Sequence, residues 1–198
     1  MLIFIKEKLV FFATPKTAST SIETTLGNLC EVRLSKHPSV KHTPYRKYKR
    51  LLEPFVQTVI PEEPDCIAAF REPLDWLGSW YRYRARTELI GKPNSTRDIT
   101  FDQFIEGYLQ DNQPTYARVG NQAKFVSDKN DKVGMTYLFK YDQMHTMVRF
   151  LSERLKKQIA LPKTNISPKM ELSLSPELQR ELKNAYRTDF EIYETIKS

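Results

Sequence analysis

Two clusters of residues in this 198-residue sequence have the types and the spacing to hold anions. The first is Lys16-Thr17-Ala18-Ser19-Thr20-Ser21, a lysine followed by small and hydroxyl residues, placed between an apolar run and Ile22-Glu23-Thr24-Thr25-Leu26. Where a buried strand passes through such a turn into a helix, backbone N–H groups and the positive helix end converge on one spot, which suits a phosphate. Thr17, Ser19, Thr20 and Ser21 add hydroxyl donors. Lys16 adds a compact cation that can follow charge onto a leaving oxygen. The same residues also fit a well-capped helix beside a solvated lysine. The loop departs from the GxxxxGK pattern followed by Ser or Thr, because its lysine comes first and it contains no glycine, which weakens a nucleoside triphosphatase reading. The second cluster is Arg71 with Ser79, eight residues on and about two turns along the helix expected there. A guanidinium fork suits phosphate oxygens. Alone, this pair reads more readily as a surface arginine and an ordinary helix serine. Together, the two clusters suit a ligand with phosphate groups at both ends.

A transfer reaction at such a site needs a base, and the sequence has three histidines. His42, in Lys41-His42-Thr43-Pro44, lies between the two anion clusters at the start of a basic helical stretch, although a surface histidine in a polar loop has the same sequence context. His37, in Ser35-Lys36-His37-Pro38, ranks second. His145 falls inside an expected helix among Met144, Met147 and Val148, where packing or surface decoration accounts for it. Glu23 and Glu72 are the bases left if histidine is not used. Trp80-Tyr81-Arg82-Tyr83-Arg84-Ala85-Arg86 mixes aromatic rings with cations, as does Tyr45-Arg46-Lys47-Tyr48-Lys49-Arg50. Each suits stacking on a base or sugar, and each more readily suits core aromatics or a solvated basic face.

The elements that must position these residues are readable from the hydrophobic pattern. Leu9 to Thr14 is a continuous apolar, β-rich run ended by Pro15, the pattern of a strand covered on both faces. Cys66 to Phe70 repeats it, and Arg71-Glu72-Pro73 turns the chain into a helix from Leu74, with Pro73 in its first turn. Thr43-Pro44 opens a helical stretch through Leu52, while Phe55 to Ile60 fits either a strand or the end of that helix. Gly91 to Asp98 reads as a loop, Thr100 to Gln103 as a capping box opening a helix to Leu109, and Met135 to Lys140 as a strand. Asp142 should cap a helix to Lys157, Pro162 to Pro168 form a loop, and Ser175-Pro176-Glu177 start a last helix carrying Leu178, Leu182, Ala185, Phe190 and Tyr193. This alternation predicts an α/β domain, residues 1–198, with a mostly parallel central sheet flanked by helices and ligands beyond the carboxyl ends of its strands.

Composition narrows the partners. With 40% apolar residues the chain can build a core, and 31 Lys and Arg against 24 Asp and Glu leave a net charge of +7, which favours an anionic partner. No run of about 18 apolar residues is present, so a membrane span is not expected, and Lys6, Glu7 and Lys8 interrupt the apolar start before a signal-peptide core forms. Cys30 and Cys66 lack ligand spacing and read as reduced thiols. A cytoplasmic location follows as the expectation.

These motifs carry a family resemblance. Thr14-Pro15-Lys16-Thr17-Ala18-Ser19-Thr20-Ser21 resembles the 5′-phosphosulfate loop of sulfotransferases, particularly the carbohydrate group that includes heparan sulfate 2-O- and 6-O- and chondroitin 4-O-sulfotransferases. Arg71-Glu72-Pro73 followed by Ser79-Trp80-Tyr81 is similar to their 3′-phosphate motif. Asn165-Ile166-Ser167, Leu174 to Glu177 and then Tyr186, Asp189, Phe190 and Tyr193 resemble the tail of that group. Glu72 stands where Asp or Asn is commoner, and the membrane anchor and luminal disulfides of Golgi members are not expected here. The resemblance implies a P-loop-like sulfotransferase fold and the co-substrate 3′-phosphoadenosine-5′-phosphosulfate (PAPS), with its phosphosulfate on Lys16 to Ser21 and its 3′-phosphate on Arg71 and Ser79. It further implies in-line attack by a hydroxyl or amine acceptor, His42 as the base, charge stabilisation by Lys16 and no metal. The acceptor would be a saccharide or small sugar-bearing metabolite, with no specific nucleic acid as partner. An ATP-dependent phosphotransferase and a non-catalytic polyanion-binding module are the other readings, the first poorly served by Asp65 and Asp142 as magnesium ligands.

Overall fold

In the computed structural model, residues 1–162, 170 and 172–197 are described. Strands β1 (Leu2–Phe4), β2 (Leu9–Phe12), β3 (Val32–Arg33), β4 (Asp65–Phe70) and β5 (Tyr137–Lys140) form one sheet in the order β3-β1-β2-β4-β5. The first half of the chain contributes α1 (Ser19–Leu26), α2 (Pro38–Lys41), α3 (Tyr45–Leu51), α4 (Glu53–Val59) and α5 (Pro73–Arg84). The second contributes α6 (Phe101–Leu109), α7 (Gln122–Val126), α8 (Met144–Arg154), α9 (Pro176–Ala185) and α10 (Arg187–Thr195).

The strands expected from apolar runs are present as β2, β4 and β5, and they pair parallel, with Phe12 opposite Ala68 and Phe70 opposite Lys140. The fold is thus the α/β layered class, here with a mixed sheet. Its antiparallel part is β1, which pairs with both β2 and β3. Those two strands were not legible. The β1–β2 reversal places Lys8 at φ 51° and has no glycine or asparagine to announce it, and β3 is only two residues long.

Every side chain of β2 is fully buried, because helices cover both faces of the sheet. Val10, Phe12, Cys66, Ala68 and Phe70 meet Tyr45, Tyr48 and Val56 of α3 and α4, together with Val126 of α7 and Ile192 of α10. Leu9, Phe11, Ile67 and Ala69 meet Ile22 and Leu26 of α1 and Met147 and Leu151 of α8. A third cluster joins α5, α6 and α9 through Trp76, Tyr81, Phe104, Tyr108 and Leu182. Alternation along buried strands therefore sorts each residue to one helical layer or the other.

The undecided stretch after Phe55 is helical, as α4. The capping box holds: Thr100 Oγ1 accepts from the Gln103 N–H at 3.2 Å, and Gln103 Oε1 accepts from the Thr100 N–H at 2.8 Å. Asp142 does not cap α8. It lies in a short 3-10 turn before that helix, and its carboxylate accepts from the Tyr193 hydroxyl at 3.0 Å. The single last helix divides at Tyr186, whose φ of −114° and ψ of 33° are not helical, giving α9 and α10. Asn165-Ile166-Ser167 and the expected loop beyond Pro162 lie outside the described residues. Among the described residues no helix is long and apolar enough to cross a membrane.

Candidate anion-binding site

Because β2 and β4 are parallel neighbours, the loops after Phe12 and Phe70 leave the same edge of the sheet. The first loop turns without glycine by placing Lys16 at φ 65° and Ala18 at φ 57°. Left-handed backbone costs a non-glycine residue about 1 to 2 kcal/mol and persists where the surroundings enforce it, commonly at ligand sites. The Thr17 hydroxyl braces the turn by donating to the Thr14 carbonyl at 2.9 Å. Ala18 is the N-cap of α1 and gives it no side-chain cap. The expected capping by hydroxyl residues is therefore not what starts this helix, since alanine has no oxygen to offer. Ser19 and Ser21 are buried in its first turn, and Thr20 Oγ1 accepts from Lys41 Nζ at 3.0 Å.

The second loop grips the first. Arg71 Nη1 donates to the Lys16 carbonyl at 3.0 Å, and Trp76 Nε1 donates to the Pro15 carbonyl at 2.9 Å. Arg71 Nε donates to Asp75 Oδ2 at 2.5 Å, and Tyr141 stacks on the guanidinium with its ring centre 4.3 Å from Cζ. Of the five N–H donors of an arginine, these bonds use two and leave three for a ligand. The helix that carries Asp75 is firmly started: Glu72 caps α5 by accepting from the Asp75 N–H at 2.6 Å, and Pro73 occupies its first turn. Ser79, 2% exposed, takes no part in the contacts that join the two loops.

The Lys16 ammonium rests over the rings of α5, 4.2 Å from the centre of Tyr83 and 5.6 Å from that of Trp80. Burial, then the cations Arg86, Arg71 and Arg82, bring its pKa down from 10.5 to about 8. Excess positive charge in a half-buried pocket is what an anion would relieve. Two buried polar atoms at the site also lack a partner: Thr14 Oγ1 and Trp80 Nε1. The aromatic and basic stretch after Trp80 is split by the helix. Tyr81 is core, with its hydroxyl donating to the Ile99 carbonyl at 2.7 Å. Arg84 is buried rather than solvated, donating to the carbonyls of Thr115, Tyr116 and Arg118.

His42 joins the same loop from the other side. Its Nδ1 lies 2.6 Å from the Ala13 carbonyl. A carbonyl only accepts, so Nδ1 carries the proton of the neutral ring and Nε2 holds the lone pair. Burial pulls its pKa below the ordinary 6.5, against the Ala13 bond. The other base candidates are committed elsewhere. Burial would raise Glu23, but bonds from Lys41 and Arg33 outweigh it and hold the carboxyl below its usual range. Glu72 caps α5, His37 Nδ1 is 2.7 Å from Ser39 Oγ at the exposed start of α2, and His145 is exposed on α8. Asp65 sits at the opposite end of β4, bonded to Arg154 at 2.7 Å. Cys66 is buried, and burial pushes its thiol up to about 12. Among the described residues no group of three or more His, Cys, Asp or Glu could hold a metal ion.

Sequence reasoning gave no role to three contributors. A cavity of about 390 Å³ opens beside the loop, lined by Thr14, Pro15, Arg46, Trp76, Lys124 and Tyr186 among others. Gln122 pairs with the backbone of Arg71, and buried Asp189 holds Gln122. No local pattern marks Gln122. Asp189 alone carried a signal, as one of the tail residues in the family resemblance.

A parallel-strand edge that sends two cationic loops to one place belongs to an α/β protein with a mixed sheet flanked by helices. The model of the sulfotransferase family matches residues 1–194, and the chain belongs to that family. It is a transferase of sulfuryl groups. No curated protein and no solved structure matched the chain.

Proposed function

We propose that the chain works as a single sulfotransferase domain that moves a sulfuryl group from PAPS to an acceptor hydroxyl on a saccharide or sugar-bearing metabolite. The phosphosulfate lies on Lys16 to Ser21 and the 3′-phosphate on Arg71 and Ser79. The acceptor oxygen attacks sulfur, its proton passes to Nε2 of His42, and the bond from sulfur to the bridging oxygen breaks. Lys16 neutralises the charge that develops on that oxygen, and 3′-phosphoadenosine-5′-phosphate leaves. The observation that carries this reading is the 3.0 Å bond from Arg71 to the Lys16 carbonyl, which makes one continuous anion-binding surface out of two loops separated by 55 residues in sequence. The cavity beside it supports a sugar: the half-buried Tyr186 ring is part of its lining, Arg46 and Lys124 bring two cations, and among the described residues no aspartate or glutamate lines it.

Calorimetry tests this directly. The protein should bind 3′-phosphoadenosine-5′-phosphate well, and ATP and AMP weakly. Equal affinity for the three nucleotides would overturn the reading. A screen of saccharide acceptors with sulfur-labelled donor then identifies the class that accepts sulfate.

A further inference from the structure

The group that holds Arg71 from behind has no role in the transfer just described, yet it is built with unusual completeness. Asp189 of α10 is 4% exposed. Its Oδ1 accepts from the backbone N–H groups of Gln122 and Ala123, each at 3.1 Å, and its Oδ2 accepts from Asn121 Nδ2 at 2.6 Å. Asn121 in turn caps α7, its side-chain oxygen accepting from the Lys124 N–H at 2.8 Å. The start of α7 is thereby fixed to α10.

From that fixed start the Gln122 side chain, 1% exposed, reaches the residue directly after β4. Its Oε1 accepts from the Arg71 N–H at 3.0 Å, and its Nε2 donates to the Arg71 carbonyl at 2.8 Å. A side-chain amide here does what a neighbouring strand would do, satisfying both backbone groups of one residue. Arg71 is consequently held at both ends, by Gln122 at its backbone and by Asp75, the Lys16 carbonyl and Tyr141 at its guanidinium.

We infer that Gln122, anchored by Asp189, is a positioning residue for nucleotide selection: it sets the backbone from which Arg71 reaches the 3′-phosphate, so that α10 contributes to recognition of a ligand it does not touch. This rests on the proposed assignment of the 3′-phosphate to Arg71. Burying a full amide and a carboxylate is costly unless every bond is made, and here the cost is met by a network that ends on one arginine.

The test compares 3′-phosphoadenosine-5′-phosphate with AMP in calorimetry on the wild type, Arg71→Ala, Gln122→Met and Asp189→Asn, with no acceptor present, so that the place of Gln122 in the neighbouring cavity does not enter. The wild type should prefer the 3′-phosphorylated nucleotide, and Arg71→Ala should abolish that preference. If either fails, the donor assignment falls, and the inference with it. Given both, Gln122→Met should weaken binding of 3′-phosphoadenosine-5′-phosphate by about tenfold, the worth of a net hydrogen bond, and leave AMP unchanged. Asp189→Asn, which loses the acceptor for Asn121, should shift the same ratio in the same direction by less, and it carries the test if Gln122→Met does not fold. An unchanged ratio in the folded variants, or equal loss for both nucleotides, would reduce Gln122 and Asp189 to scaffolding and overturn the inference.

Discussion

At the scale of the residue, Lys16 and His42 are tuned in ways that the pH dependence of turnover should expose. A base acts in its neutral form, and burial lowers the pKa of His42, so the acid limb of kcat/KM should lie below the ordinary imidazole value of 6.5. Lys16 acts charged, and with its pKa near 8 the alkaline limb should fall there. The expected profile is a bell whose acid side disappears in His42→Ala and whose alkaline side moves outward in Lys16→Arg. A His42→Ala profile that keeps its acid limb at wild-type amplitude would assign the base elsewhere. Removing a preorganised donor costs about 2.7 to 4 kcal/mol of transition-state stabilisation, so Lys16→Ala should lower turnover by roughly two to three orders of magnitude. Both candidates came from the sequence, Lys16 from its place before a row of small hydroxyl residues and His42 from its place between the two anion clusters at the start of a basic stretch. The Ala13 bond of His42 was not legible, since it spans 29 residues and depends on how α2 packs against the end of β2.

Among the elements, the parallel strands and the helices between them follow from apolar runs and caps, whereas β1 and β3 gave too little pattern to read. The knot that ties α1 to both α2 and β3 is likewise a tertiary product. Glu23, 10% exposed at its side chain, pairs with Lys41 at 2.8 Å and Arg33 at 3.0 Å. Arg33 is 39% exposed and Lys41 keeps its bond to Thr20, so water screens part of the loss, and Glu23→Ala should cost about 1 to 2 kcal/mol, or roughly 2 to 8 °C in Tm for a chain of this size. The carboxyl titrates lower in the folded protein than its ordinary 4.5. Its contribution is therefore complete above that value and is lost as pH falls through the lower folded pKa. Acid titration of stability should show this loss in the wild type and not in Glu23→Gln, and superimposable curves would place the acid lability in other groups.

For the whole molecule, the net charge of +7 predicts attraction to many anions, and only geometry separates a nucleotide site from a general basic surface. Added salt should weaken binding of both nucleotides, and of 3′-phosphoadenosine-5′-phosphate more steeply than of AMP because it carries one more phosphate, while a preference for it survives at physiological ionic strength because Arg71 is held in place for that group. A ratio that collapses toward one with salt would instead describe a non-catalytic polyanion binder. The α/β layering was readable from the order of apolar runs, and the anion loops from their residue types. The convergence of Arg71, Gln122 and Asp189 was not, because it needs three segments that only the sheet and its outer helices bring together.

The loop from Ala13 to Ala18 reverses without any glycine, and its two left-handed residues are locked by bonds from Thr17, Arg71 and Trp76. Alanine and lysine have a narrow left-handed well and few neighbouring states to wander into, unlike glycine. An arriving nucleotide should accordingly meet a finished receptacle, and stopped-flow traces of its capture should be single exponentials whose rate climbs linearly with concentration, with no plateau from a slow closing step.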